Sequence, residues 1–321
     1  MIVHESTSSI SSVTPQRGHL RRTLGLLKWH ATEVLPARFR QALMPRLRRR
    51  WANRLVSLPS LAESSDGLDM EIHMLCGEAT ADMGVWASWS IMRFVPGAAL
   101  YVHSDGTLQD ETFTKWKRIV PQCRLVPKTT ADALVAAGFE QKYPLLSTWR
   151  THTVVAPQNI DYFLFGEREY VLGMDSDVLC FRSPELIIQS VRQRLTEALF
   201  MRDRMYAYSM PETTFLQRYG ALAPTRVNGG FWLSRRLSDA DFAFMERELA
   251  SWDGDWRDAY WAPQTLLGAA FSRRSGGYLP AHEYVLALGG HTRDAVVRHY
   301  LGTRFFRPRF FTEGIPAVIR G

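Results

Sequence analysis

The chain has 321 residues, 46% hydrophobic and 22% charged, with a formal net charge of +7. That composition excludes a disordered or fibrous chain, and the length suits one large α/β domain or two small ones. No run approaches the roughly 18 unbroken apolar residues of a membrane-spanning helix.

The charge is concentrated at the start. Residues 1–60 carry eleven Lys and Arg against Glu5 and Glu33, leaving 28 basic and 30 acidic residues for the rest. The high isoelectric point therefore belongs to an N-terminal segment, and a nucleic-acid partner is not expected. Residues 1–16 are Ser/Thr-rich and read as a disordered tail, with neither the basic start nor the apolar core of a signal peptide. Residues 17–67 read as a basic helical extension of two short helices broken at Pro36 and Pro45. In "PRLRRRWANRLVSL", Leu47, Trp51, Leu55 and Leu58 share one helical face, with arginines around the remainder. Such a helix either packs on the main domain or a partner subunit, or lies on an acidic membrane surface through residues 17–60. Cys76, Cys123 and Cys180 lie far apart beside apolar runs. They are expected to be buried reduced thiols in a cytoplasmic protein, the membrane option placing it at the inner membrane face.

The main domain is expected over 68–321. Strands are predicted at "DMEIHMLCG" (69–77), "AALYVHSDG" (98–106) and "CRLVP" (123–127), with helices at 81–95 and 108–120 and a helical region from Thr129 to about Phe165. Strands alternating with helices imply a mainly parallel, Rossmann-like sheet covered on both faces. The next strand, in "EYVLGMDSDVLCFRSPELI" (169–187), is an apolar run ending in Asp175, Ser176 and Asp177. Ligands of open parallel sheets gather beyond the carboxyl ends of the strands. On extended chain the two aspartates point to the same side. Two carboxylates so placed repel unless a cation or strong donors lie between them, and hard oxygen ligands suit Mg²⁺ or Mn²⁺. The plain alternative is an Asx turn closing a strand.

These residues resemble the strand and Asp-x-Asp loop of bacterial glycosyltransferases of the A-type fold. "LYVHSDGTL" (100–108) is similar to their second strand and Asp-Gly turn, "RVNGGFWLSRR" (226–236) to their Asn-x-Gly strand facing the donor sugar, and "VVRHYLGTRFFRP" (296–308) to their C-terminal His-Tyr-x-Gly segment. The resemblance implies a single A-type domain that moves a sugar from a nucleotide-diphospho-sugar donor to an acceptor. In it Asp175, Asp177 and His299 would hold Mn²⁺ or Mg²⁺. Asp175, Ser176, Asp177, Asn228, Gly229 and Gln264 would bind the donor, and His103 would line the nucleotide pocket. An imidazole ligand favours Mn²⁺. Each motif also has a structural reading: a strand bulge for Asn228 and its glycines, a helix start for Gln264, an ordinary buried histidine for His299. The pattern is departed from at Pro263, where relatives carry an acidic residue. It is departed from again at Gln158, Asn159 and Asp161, where relatives place a base facing the phosphates. The nearest basic candidates are Lys142, Arg150 and Arg168. Glu212, Asp258 and Glu283 are base candidates by location. The acceptor is open among a glycan, a lipid-linked sugar, a protein and a small molecule.

Two other readings compete. A phosphohydrolase of the haloacid-dehalogenase type also ends a strand in Asp-x-Asp, with the first Asp as nucleophile. It needs Thr or Val where this chain has Leu179, and "HSDGTL" (103–108) puts His103 where its nucleophile belongs. A non-catalytic sugar-nucleotide-binding protein is the third.

Overall fold

A computed structural model describes residues 35–62, 67–286, 294–301 and 307–320. The expected tail (1–16), the start of the extension and Gly302 of the C-terminal motif lie outside the described residues.

The domain is a seven-stranded sheet with helices on both faces. In chain order come α1 (Leu35–Leu55), β1 (Met70–Cys76), α2 (Ala81–Met92), β2 (Ala99–Ser104), α3 (Asp110–Ile119) and β3 (Cys123–Val126). A helical stretch beginning at Lys128 includes α4 (Pro144–His152) and α5 (Pro157–Leu164). Then follow β4 (Tyr170–Met174), β5 (Val178–Cys180), α6 (Glu185–Gln193), β6 (Ala198–Arg202), α7 (Glu212–Tyr219), β7 (Val227–Arg235) and α8 (Asp239–Ser251). The chain closes with α9 (Ala262–Phe271), β8 (Gly276–Tyr278), β9 (Tyr284–Leu286), β10 (Val297–His299) and a helical run ending in α10 (Ile315–Arg320).

The sheet order is β3-β2-β1-β4-β7-β6-β8, so β4 is its middle strand. Every residue of β4 is buried, as a strand covered on both faces requires. Pairing is parallel except where β7 runs against β4 and β6. Gly173 of β4 stands opposite Trp232 of β7, and a methyl at Gly173 would meet the indole at under 3.0 Å. One face of the sheet packs Ile72, Leu172 and Leu233 beneath Trp86, Ile91, Trp116 and Phe310. The other packs Val171, Phe200 and Trp232 beneath Trp149, Ile160, Phe215 and Phe271. Each such side chain contributes about 1.5–3 kcal/mol by leaving water. All three cysteines are buried and free.

The expected break of the extension at Pro45 is corrected. One helix, α1, runs through Pro45. Pro36 lies in its first turn, where a missing N–H costs nothing. Pro45 lies in the middle of the helix with its ring exposed. The apolar stripe of α1 packs inward: Met44, Leu47, Trp51 and Leu55, with Leu58 just beyond the helix, join the main core. Trp51 donates its indole N–H to the Phe311 carbonyl at 2.8 Å and meets Trp86 edge-on at 6.1 Å between centroids. Arg48 grips the Asp82 carboxylate with two hydrogen bonds. Among the described residues no helix is long and apolar enough to cross a membrane.

Candidate metal and donor site

Chain direction builds the site at the carboxyl end of β4. The chain leaves the sheet at Asp175, turns through Ser176 and Asp177, and starts β5 at Val178. The turn is closed by the Val178 N–H on the Asp175 carbonyl at 3.2 Å, so the two carboxylates converge through a turn and not along extended chain as expected. β5 and β10 pair antiparallel, which sets His299 opposite Val178, and the Tyr300 N–H donates to the Asp177 carbonyl at 2.8 Å. A three-residue strand from the end of the chain thus carries an imidazole to the aspartates.

Asp175, Asp177 and His299 each offer one ligand atom, all within 4.8 Å of one another. His299 Nε2 lies 3.1 Å from Asp177 Oδ1 and 3.7 Å from Asp175 Oδ2. Adjacent ligands on an ion at about 2.0–2.2 Å sit about 3 Å apart, so the spacing fits one small divalent cation. The orientation of the ring is fixed from behind. The Gly230 N–H donates to Asn228 Oδ1 at 3.1 Å, which identifies that atom as the amide oxygen. His299 Nδ1 lies 2.9 Å from the same oxygen and therefore carries its proton toward it. Nε2 is left facing the carboxylates, the arrangement of a metal-ligating histidine held by its other nitrogen. Gly230 makes room for this: a methyl there would meet both the His299 ring and the Asp175 carboxylate at under 3.0 Å.

Electrostatics agree with the geometry. Burial alone would lower the pKa of His299, but Asp177, Asp175 and Asp203 outweigh it and hold it above the ordinary value. Burial pushes the Asp175 carboxyl up, Asp177 adds to this, and His299 and Gln158 pull it back. Metal binding would need Nε2 free of its proton, so a cation held there would compete with that proton.

Around this core, Gln158 donates to Asp175 Oδ1 at 2.8 Å. Asn228 Nδ2 donates to Asp203 Oδ2 at 3.3 Å, and Gln264, in the first turn of α9, donates to the Ala207 carbonyl at 3.1 Å. The Gly229 N–H donates to Gln264 Oε1 at 3.4 Å. Ser176 occupies the middle of the turn. Asn228, Gly229 and Gln264 are thus joined to the three candidate ligands, and Asp203, just beyond β6, is a member that sequence reasoning missed. His103 stands apart from this hydrogen-bonded group. It is buried on β2, 2.9 Å from His73 Nδ1, with its ring against Tyr162 and Phe165. Two of the basic candidates are engaged elsewhere, Arg150 with Asp161 and Asp132 and Lys142 with Asp239, and the Arg168 side chain lies beside Gly67. Asn159 donates to the Pro263 carbonyl at 2.7 Å, fastening α5 to α9.

No protein-family model matches the sequence, and no curated protein matches it. Solved structures do. The chain is similar to the bifunctional glycosyltransferase WbbM in its apo structure, at a TM-score of 0.54 and 16% identity. The alignment covers 81% of this chain and 51% of that one, so the chain spans about half the length of WbbM. The fold is the A-type glycosyltransferase fold. Weaker likenesses are to the galactosyltransferase LgtC (TM-score 0.49, 15% identity, 77% of this chain and 96% of that one) and to mouse xyloside xylosyltransferase 1 (0.48, 10%, 73% and 98%).

Proposed function

We propose that this chain is a glycosyltransferase that takes a sugar from a nucleotide-diphospho-sugar donor with the help of Mn²⁺ or Mg²⁺. The observation that carries the reading is the convergence of Asp175, Asp177 and His299 at the end of the middle strand, with Asn228 holding His299 by its far nitrogen. A fold shared with glycosyltransferases supports it by analogy. Asp175, Asp177 and His299 would hold the divalent cation, which when bound would supply Lewis-acid stabilisation to the departing nucleoside diphosphate.

In this reading Asp177 and His299 are the inner ligands. Asp175, tethered by Gln158, and Ser176 face the donor. Asn228, Gly229 and Gln264 offer both donor and acceptor groups to the hydroxyls of the transferred sugar. Mn²⁺ suits the imidazole better than Mg²⁺ does. The phosphohydrolase reading is not favoured. Its nucleophile would be Asp175, here bound to Gln158 and beside an imidazole, and Leu179 offers no hydroxyl to phosphate.

Calorimetric titration of the full chain with a panel of sugar nucleotides, with and without Mn²⁺, is the test. Binding of one member that requires the metal is expected. Failure of every member to bind would sink the reading. Binding without any release of nucleoside diphosphate would leave the non-catalytic sugar-nucleotide-binding protein in its place.

A further inference from the structure

With the apolar stripe of α1 turned into the core, the outward face of the helix requires a separate account. At 100° per residue, Phe39, Arg46, Arg49, Arg50 and Arg54 fall within an arc of about 140° on the side away from that stripe, and Val56 follows the last residue of the helix. Phe39 is 69% exposed and Val56 87%, and they stand near the two ends of the helix. Arg48, at the edge of the packed stripe, is the one arginine of α1 paired with a carboxylate among those whose side chains are described.

A groove runs along each flank of α1. Between α1, α2 and α3 lies one of about 450 Å³, floored by Leu55, Val85, Trp116 and Ile119, with Arg49 and Arg118 on its rim. Its two carboxylates are engaged, Asp82 with Arg48 and Glu78 with Thr112 and the Gln109 N–H. Between α1 and α10 lies another of about 580 Å³, with Trp51, Pro316 and Ile319 beneath Arg50, Arg54 and Arg320 and no carboxylate in its lining. Among the described residues these five rim arginines have no carboxylate partner.

We propose that this face docks on an anionic phospholipid bilayer, with lipid phosphates at the rim arginines and an acyl chain entering the groove beside α2 and α3. The charge calls for an anion, and the apolar floors call for a hydrocarbon chain joined to it, which a nucleic acid does not have. Phe39 lies roughly 24 Å along the helix from its last residue, beside which Val56 stands, farther than one small ligand reaches. A bilayer satisfies all three features together, because each basic residue near an anionic leaflet adds attraction and the apolar side chains enter its boundary. The attachment is therefore made by the arginine face and its flanks, while the apolar stripe stays in the fold. It does not depend on the sugar-transfer reading.

The test is sedimentation of the full chain with phosphatidylcholine vesicles, with and without phosphatidylglycerol. Binding is expected only with phosphatidylglycerol, weakening steeply with salt. Combined Arg49→Glu, Arg50→Glu and Arg54→Glu substitutions should weaken it at least tenfold with thermal unfolding unchanged. Arg118→Glu, on α3, should weaken it as well. Ala52→Gln, which sets a polar amide in the lining of the first groove without altering charge, should lower the binding that survives at high salt. Equal binding to neutral vesicles, or full binding by the triple variant or by Ala52→Gln, would overturn the proposal. Retention on heparin without vesicle binding would do the same and point to another polyanion.

Discussion

Asn228 decides which nitrogen of His299 faces the carboxylates, so it acts on the candidate metal without touching it. Asn228→Ala should lower Mn²⁺ affinity by about 10–100-fold, the usual cost of losing such a partner. Titration of Mn²⁺ by calorimetry or electron paramagnetic resonance checks this, and unchanged affinity would remove Asn228 from the site. Gly230→Ala tests the space itself. Its φ is not in the left-handed region, so its role is steric: a methyl would push the imidazole away from Asp175. Mn²⁺ binding should fall at least tenfold while the protein remains folded by circular dichroism. At this scale the sequence was legible wherever residues come in spaced sets. Asp175 and Asp177 announce themselves at the end of an apolar strand, and Asn228 and His299 through motifs that resemble a known family. Asp203 does not, because a single aspartate in "FMRDRM" has no spacing to mark it. Gln158 read only as a missing base, and its bond to Asp175 arises from packing of α5 that no local pattern encodes.

The elements most visible in advance were those whose periodicity is local. The strands at Met70–Cys76, Ala99–Ser104 and Tyr170–Met174 and the helix at Ala81–Met92 fall where apolar runs and turn residues put them. Reversal of β7 and the small sheet β5-β10-β9 were not legible. β5, β9 and β10 have three residues each, too few to carry a pattern, and β5 finds its partner more than a hundred residues later. Pro45 misled because a proline inside a helix usually breaks or kinks it, whereas here the helix continues through it, held on both sides of Pro45 by the packing of Met44, Leu47, Trp51 and Leu55 on the core. Gly173 is a sharper case. In "YVLGM" it reads as a weak point of a strand, but it is the seat of the Trp232 ring from the neighbouring strand. Gly173→Ala should therefore destabilise the protein by about 1–3 kcal/mol through overpacking. Urea unfolding checks this, and a stabilised variant, as expected of glycine replacement in an open strand, would refute the packing argument.

Among the described residues two sets of ionisable groups lie outside the candidate site and bear on the whole molecule: the outward arginines of α1, and a buried set on the sheet that the proposed chemistry does not use. The buried set fixes how stability depends on pH. Glu71 accepts hydrogen bonds from the Glu167 and Arg168 N–H groups and from Arg236. His73 Nε2 lies 3.7 Å from Glu71, and His73 Nδ1 lies 2.9 Å from His103 Nε2. Burial strips the water from a charged His73 and lowers its pKa to about 4, against the pull of Glu71. Burial pushes His103 down as well, and His73 and Arg150 add to this. Both are therefore neutral in the folded protein at pH values where an unfolded histidine, of ordinary pKa about 6.5, takes up a proton. For His73 the unfolded chain binds more protons than the folded one between those values, so stability falls as pH drops from about 6.5 toward 4, and His103 adds a loss of the same sign. For His73 alone the change amounts to about 3 kcal/mol. Glu71, whose pKa is lowered despite its burial by His73, the two N–H groups and Arg236, adds a loss of the same sign at the acid end of the window. Unfolding by urea at a series of pH values should show this slope. Replacing both partners, His73→Leu with His103→Leu, removes the buried nitrogens together and leaves neither without its mate, so the double variant should fold. Its stability should be nearly flat between pH 6.5 and 5, and an undiminished slope there would show that other groups set the acid limit of this fold.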